Sequence, residues 1–172
     1  MTRRCLYLMG IDWRWIKQRP HHLAEQLLRR HSLLAVFRPS PRRFRWPRND
    51  SRVPRVPLVP TLVQGPAREF VDPWVQRHWL SLLSAGFRPD VLWVGHPLLW
   101  PLLPASLSAR IPVVYDCMDD VVALTPPGVS GDTVQQHEAA LVAAAQVILC
   151  SSECLRGRLA ERYGQMALPL RG

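Results

Sequence analysis

Residues 5–37 read CLYLMGIDWRWIKQRPHHLAEQLLRRHSLLAVF, and the succession of patterns in this stretch decides the fold. Residues 5–9 (Cys-Leu-Tyr-Leu-Met) form a short apolar run that stops at Gly10. A run without polar alternation suits a strand covered on both faces, as in a parallel sheet. Pro20 is placed for the first turn of a helix, where its missing N–H has no partner to lose. Leu23, Ala24, Leu27, Leu28 and His31 then recur at helical spacing, while Glu25, Gln26, Arg29 and Arg30 fall on the other side. Residues 33–37 (Leu-Leu-Ala-Val-Phe) form a second apolar run, completing a strand–helix–strand unit.

The alternation continues downstream. Residues 56–63 hold a short strand pattern that Pro57 and Pro60 push toward a sheet edge. Asp72-Pro73 reads as an N-cap and first-turn proline, with Val75, Trp79, Leu82 and Leu83 on one face and Gly86 at the end. Residues 91–94 are a strand, and 98–108 a short helix broken by Pro101 and Pro104. Residues 111–115 and 147–150 are strands. Between them a helix opens at Asp132, with Gln135 completing a capping box and Val134, Leu141, Ala144 and Ala145 facing inward. Ser151 or Ser152 caps a last helix that carries Leu155, Leu159 and Tyr163 and closes at Gly164; residues 167–170 begin one more apolar run. Apolar strands alternating with helices imply an α/β fold, a Rossmann-like doubly wound parallel sheet, formed as one domain by residues 1–172.

Charge and cysteine content narrow the function classes. The chain carries a net charge of +9 over 172 residues, with Lys17 its one lysine. Seven arginines and a single acid, Asp50, fall between Arg38 and Pro57. This segment 38–57, with Phe44 and Trp46, suits an anionic membrane surface or a solvated loop. The charge is local, and no helix carries it as an ordered stripe, which argues against nucleic acid. The first apolar run is too short for a signal peptide and is followed by Asp12, Arg14 and Lys17, so a cytoplasmic protein is expected, peripheral at the inner face of the cell membrane if the basic segment docks there. Cys5, Cys117, Cys150 and Cys154 lack the companions of a zinc site and read as reduced, structural thiols; no metal is expected.

Parallel sheets bind ligands where their strands end at the carboxyl side. Asp116-Cys117-Met118-Asp119-Asp120 follows the strand at 111–115 and offers three carboxylates to that crevice, for sugar hydroxyls, proton acceptance or a hard cation. The alternative is a loop whose aspartates cap nearby amides. His96 lies just past another strand, where it could orient a hydroxyl, act as a base, or cap the turn before Pro97. Gln18-Arg19-Pro20-His21-His22 sits at a helix N-terminus, where free amides attract anions and Arg19 would strengthen the attraction. No dinucleotide or triphosphate glycine signature is present. Trp13, Trp15, Met118 and Leu124 share the same end of the sheet, so that face is expected either to be covered by a second chain or to be locally disordered around residues 120–131.

Four motifs in order carry a resemblance: Trp15-x-x-Gln18-Arg19-Pro20-His21-His22-Leu23-Ala24, Val91-Leu92-Trp93-Val94-Gly95-His96-Pro97, Val113-Val114-Tyr115-Asp116-Cys117-Met118-Asp119-Asp120, and Val147-Ile148-Leu149-Cys150-Ser151-Ser152-Glu153-x-Leu155. Together they resemble the N-terminal domain of bacterial family-4-type retaining glycosyltransferases of the GT-B fold, in the teichuronic-acid-biosynthesis-like branch. The resemblance implies an acceptor-side domain of an enzyme moving a sugar from a nucleotide sugar to a cell-envelope glycan or lipid-linked acceptor. No cofactor is implied beyond the donor substrate. It gives His96 and Asp119 catalytic positions, and Arg19, His21, Asp116 and Asp120 substrate contacts. Relatives carry two glycines near Arg19-Pro20, and a histidine in the motif where this chain has Asp119. They also continue into a nucleotide-sugar domain, which residues 1–172 do not contain, so a second chain or donor domain is an expected partner and the chain alone is expected to be inactive. The rival readings are a non-catalytic module that binds a glycan or partner, and half of a nucleotide-sugar epimerase.

Overall fold

The computed structural model describes residues 2–39, 52–58, 68–125 and 129–164, with the side chains of 68–71 left aside. Among the described residues, six strands form one sheet: β1 (Arg4–Met9), β2 (Ser32–Phe37), β3 (Arg55–Pro57), β4 (Val91–Val94), β5 (Val113–Cys117) and β6 (Val147–Cys150). Their order is β3-β2-β1-β4-β5-β6, and every neighbouring pair runs parallel. The helices are α1 (Arg19–Leu28), α2 (Arg68–Phe87), α3 (Ala105–Ser108), α4 (Gly131–Ala144) and α5 (Glu153–Tyr163), with a 3-10 helix over Pro97–Leu102.

The strands are apolar throughout because both faces are covered. Successive side chains point to opposite sides of a strand. Cys5, Tyr7 and Met9 of β1 pack with Ala35 and Phe37 of β2 and with Ala24 of α1. Leu6 and Leu8 enter the larger core on the other face, with Leu92, Val94, Val113 and Tyr115 and with Leu80, Leu99, Leu141 and Leu155 from the helical elements. β3 occupies the edge, where Pro57 removes no ladder bond that a central strand would need.

Several local expectations shift. Pro73 does not open α2: the helix begins at Arg68, placing Asp72 and Pro73 inside it. α4 begins at Gly131 behind Ser130, so Asp132 stands in its first turn and supplies charge to the helix N-terminus without serving as its cap. α5 follows the reading closely, with the Ser152 hydroxyl accepting from the Leu155 N–H at 3.2 Å and Gly164 leaving the helix at φ 80°. Such a positive φ suits glycine. The core of the Arg/Pro segment, residues 40–51 with Arg42, Arg43, Phe44, Arg45, Trp46 and Arg48, lies outside the described residues, as do 59–67 and the apolar run at 167–170.

Candidate functional site

The strand order reverses direction between β1 and β4, since the chain winds outward from β1 to β3 and resumes on the other side at β4. Loops leaving the two strands there diverge and leave a crevice at their carboxyl ends. A cavity of about 50 Å³ lies at this point, lined by Tyr7, Gly10, Gly95, His96, Met118 and Asp119, with Ile11, Pro20, Tyr115 and Val121. It has room for one small polar group or a few waters.

Two glycines permit the close approach of its walls. A β-carbon on Gly10 would stand 2.6 Å from the His96 Cβ. One on Gly95 would meet the Leu8 carbonyl oxygen at 3.2 Å, the same oxygen that accepts the Gly95 N–H at 2.8 Å. His96 leads into the 3-10 helix, and its Nδ1 accepts the Leu98 N–H at 3.2 Å. The accepting nitrogen carries no proton, so in the neutral ring the proton sits on Nε2. Burial pushes the His96 pKa down to about 4, with Arg38 adding to the shift and Asp119 opposing it. The ring is therefore neutral near pH 7. It is suited to donating a hydrogen bond to a hydroxyl, and poorly suited to the general-base role its position alone had allowed.

The three aspartates of the motif Asp116–Asp120 take three different environments, which corrects the expectation of three carboxylates open to one crevice. Asp116 falls within β5 and is fully buried. It accepts from the Tyr7 hydroxyl at 3.2 Å and pairs with Arg19 Nη2 at 2.7 Å. Burial pushes its carboxyl up from the usual range, and Arg19 pulls it back. The Arg19 side chain is 40% exposed, so Asp116 holds one edge of a guanidinium that otherwise looks outward. Asp119 lines the cavity. Asp120 turns away toward α5, paired with Arg158 at 3.1 Å and Arg162 at 3.1 Å.

Arg162 also meets the buried Glu138 at 3.3 Å, and Glu138 accepts from the hydroxyls of Tyr115 and Tyr163, each at 2.7 Å. This polar network joins β5, α4 and α5 beneath the site. Sequence reasoning passed over Glu138, although it lies at helical spacing between Val134 and Leu141, on the face assigned to the core. A carboxylate in that position signals a buried partner.

His21 does not reach the cavity. Its Nδ1 accepts the Gln18 N–H at 3.1 Å, and its Nε2 lies 3.1 Å from the Trp13 carbonyl oxygen, to which it donates as the neutral tautomer. Burial pushes its pKa down, consistent with that tautomer. The ring fastens the β1–α1 loop to α1. Trp13 is likewise internal, edge-on to His21 at 4.9 Å and beneath the Arg55 guanidinium at 5.2 Å. Of the aromatic pair expected on the open face, only Trp15 is exposed. Among the described residues, no group of three or more His, Cys, Asp or Glu stands together as a metal site. No described helix is long and apolar enough to cross a membrane.

Comparison with known proteins adds one match and one silence. A family model described as "Glycosyl transferase 4-like domain" matches residues 16–169. No curated protein matches the chain.

Proposed function

Because the chain belongs to the glycosyl transferase 4-like family, we propose that it is the acceptor-side domain of a GT-B enzyme acting in envelope polysaccharide synthesis. In this reading the enzyme moves a sugar from a nucleotide sugar to a glycan or lipid-linked acceptor at the inner face of the cell membrane. Within the family, the four motifs favour the teichuronic-acid-like branch. The observation that carries the reading is the cavity at the switch point, which His96 and Asp119 both line between loops that two glycines allow to approach.

The chemistry follows from the charge states. Glycosyl transfer passes through an oxocarbenium-like state, with positive charge developing on the sugar and negative charge on the departing phosphate. The neutral His96 ring donates from Nε2 to a sugar hydroxyl and fixes the ring's orientation. Asp119 accepts from a hydroxyl or faces the developing positive charge. Arg19, on the first turn of α1, offers its partly exposed guanidinium toward the diphosphate of the donor, whereas the His21 and His22 amides are taken up by Gln18. Asp116 fixes Arg19 there, and Asp120 holds the Asp119 loop through α5. His21 shapes the loop that precedes Arg19.

Radiolabelled nucleotide sugars incubated with this domain, a nucleotide-sugar-binding partner domain and a membrane lipid extract test the proposal. Label should pass to a lipid-extractable or polymeric product. Release of free sugar alone, or interconversion of the nucleotide sugar without transfer, would replace this reading with a hydrolase or an epimerase.

A further inference from the structure

Cys117 is the last residue of β5 and Cys150 the last of β6, and the two are direct partners in the parallel register of these strands. Paired residues on adjacent strands direct their side chains to the same face, with backbones about 4.8 Å apart. That spacing falls within the Cα separation a disulfide spans, about 4.4–6.8 Å. Cys117 is buried in the larger core, and Cys150 packs against the same core while remaining partly exposed. Nothing in the proposed transfer chemistry uses either thiol.

We propose that Cys117 and Cys150 form a redox-active dithiol that a small disulfide oxidant converts to an intramolecular disulfide. Cys150 is the entry point because it is the more accessible of the two. The neighbouring Cys117 thiol, with Arg156 and Arg19, draws the Cys150 pKa down, which favours its thiolate. The Cys150 thiolate attacks one sulfur of the oxidant, expelling one thiolate and leaving a mixed disulfide. Cys117 gives its proton to the expelled thiolate and attacks the Cys150 sulfur, releasing the second oxidant sulfur as a thiol after it takes a proton from water. Two protein thiols are oxidised and one disulfide is reduced to two thiols.

The location gives the bond a consequence. Cys117 is followed directly by Met118 and Asp119, which line the cavity. The β6–α5 loop is already tied to this stretch, since Ser151 N–H donates to the Cys117 carbonyl at 3.1 Å and Ser151 Oγ to the Met118 carbonyl at 2.6 Å. A bond between the two sulfurs ties the end of β5, two residues before Asp119, to the end of β6.

Oxidised glutathione, followed by alkylation of remaining thiols and cleavage after glutamate, tests the proposal without any assay of transfer. Cleavage at Glu138 and Glu153 puts Cys117, Cys150 and Cys154 on three separate peptides. The expected product is a Cys117–Cys150 cross-linked peptide in most molecules, retained in Cys154→Ser and lost in Cys150→Ser. The wild-type map decides the matter even if a variant folds poorly. A Cys150–Cys154 link, or glutathione confined to the exposed Cys154 with Cys117 and Cys150 still alkylated, would overturn the proposal.

Discussion

Gly10 and His96 are the closest-fitting pair in the site. A methyl group on Gly10 would occupy space held by the His96 Cβ, so Gly10→Ala must displace the β1 loop or the imidazole. We expect a destabilisation of about 1–3 kcal/mol by urea denaturation, together with a shifted His96 ring resonance. His96 also predicts a pH dependence. Its folded pKa, about 4, lies below the ordinary histidine value of about 6.5, so the unfolded chain binds a proton that the folded chain refuses between these limits. The stability this group contributes is complete above about pH 6.5 and is lost as pH falls toward 4. The downward shift of His21 has the same sign. Urea midpoints at pH 7 and pH 5 should therefore differ less in His96→Gln than in the wild type. At this scale the sequence was least informative. It marked Asp116, Asp119 and Asp120 as one cluster and His96 as a candidate past another strand, because position past a strand does not tell where a side chain turns. Asp116 lies within β5 and Asp120 in the loop after it, and they are held apart by Arg19 and Arg162, which lie 97 and 42 residues away in the chain.

Two ties between elements hold the site in shape. His21 bridges α1 and the loop behind β1, and His21→Ala would leave the Gln18 N–H and the Trp13 carbonyl without that partner. We expect a loss of about 1–3 kcal/mol and faster amide exchange at Gln18. Glu138 is the larger tie. Removing it as Glu138→Ala strands the Tyr115 hydroxyl inside the core and takes one carboxylate from Arg162, so thermal unfolding should show a loss of about 3 kcal/mol or more. Most elements were legible because their apolar spacing is set by the core they face. The starts of α2 and α4 were not. Asp72-Pro73 carries the chemistry of a helix start, yet the helix reaches back to Arg68; Asp132 and Gln135 have capping-box spacing, yet Ser130 precedes the first turn. A capping pattern states what a helix end tolerates, and tertiary packing decides where the end falls.

The whole molecule is organised around the reversal between β1 and β4. The all-parallel order was readable from alternating apolar strands and helices, and the switch point follows once β1 is seen to lie inside the sheet. The cavity there is small, and the proposal assigns it the reacting end of the ligands and not the nucleotide. This domain by itself is therefore expected to bind uridine, guanosine and adenosine diphosphate sugars more weakly than micromolar, about −8 kcal/mol, in calorimetry.

The central claim is that the neutral His96 ring touches the sugar during transfer. It is tested most directly by kcat/KM for sugar transfer in His96→Ala and wild type, each assayed with the nucleotide-sugar-binding domain, with thermal unfolding measured on both. The account predicts a fall of about 10²–10³-fold in a variant that remains folded. A folded His96→Ala protein that transfers sugar at the wild-type rate would contradict it.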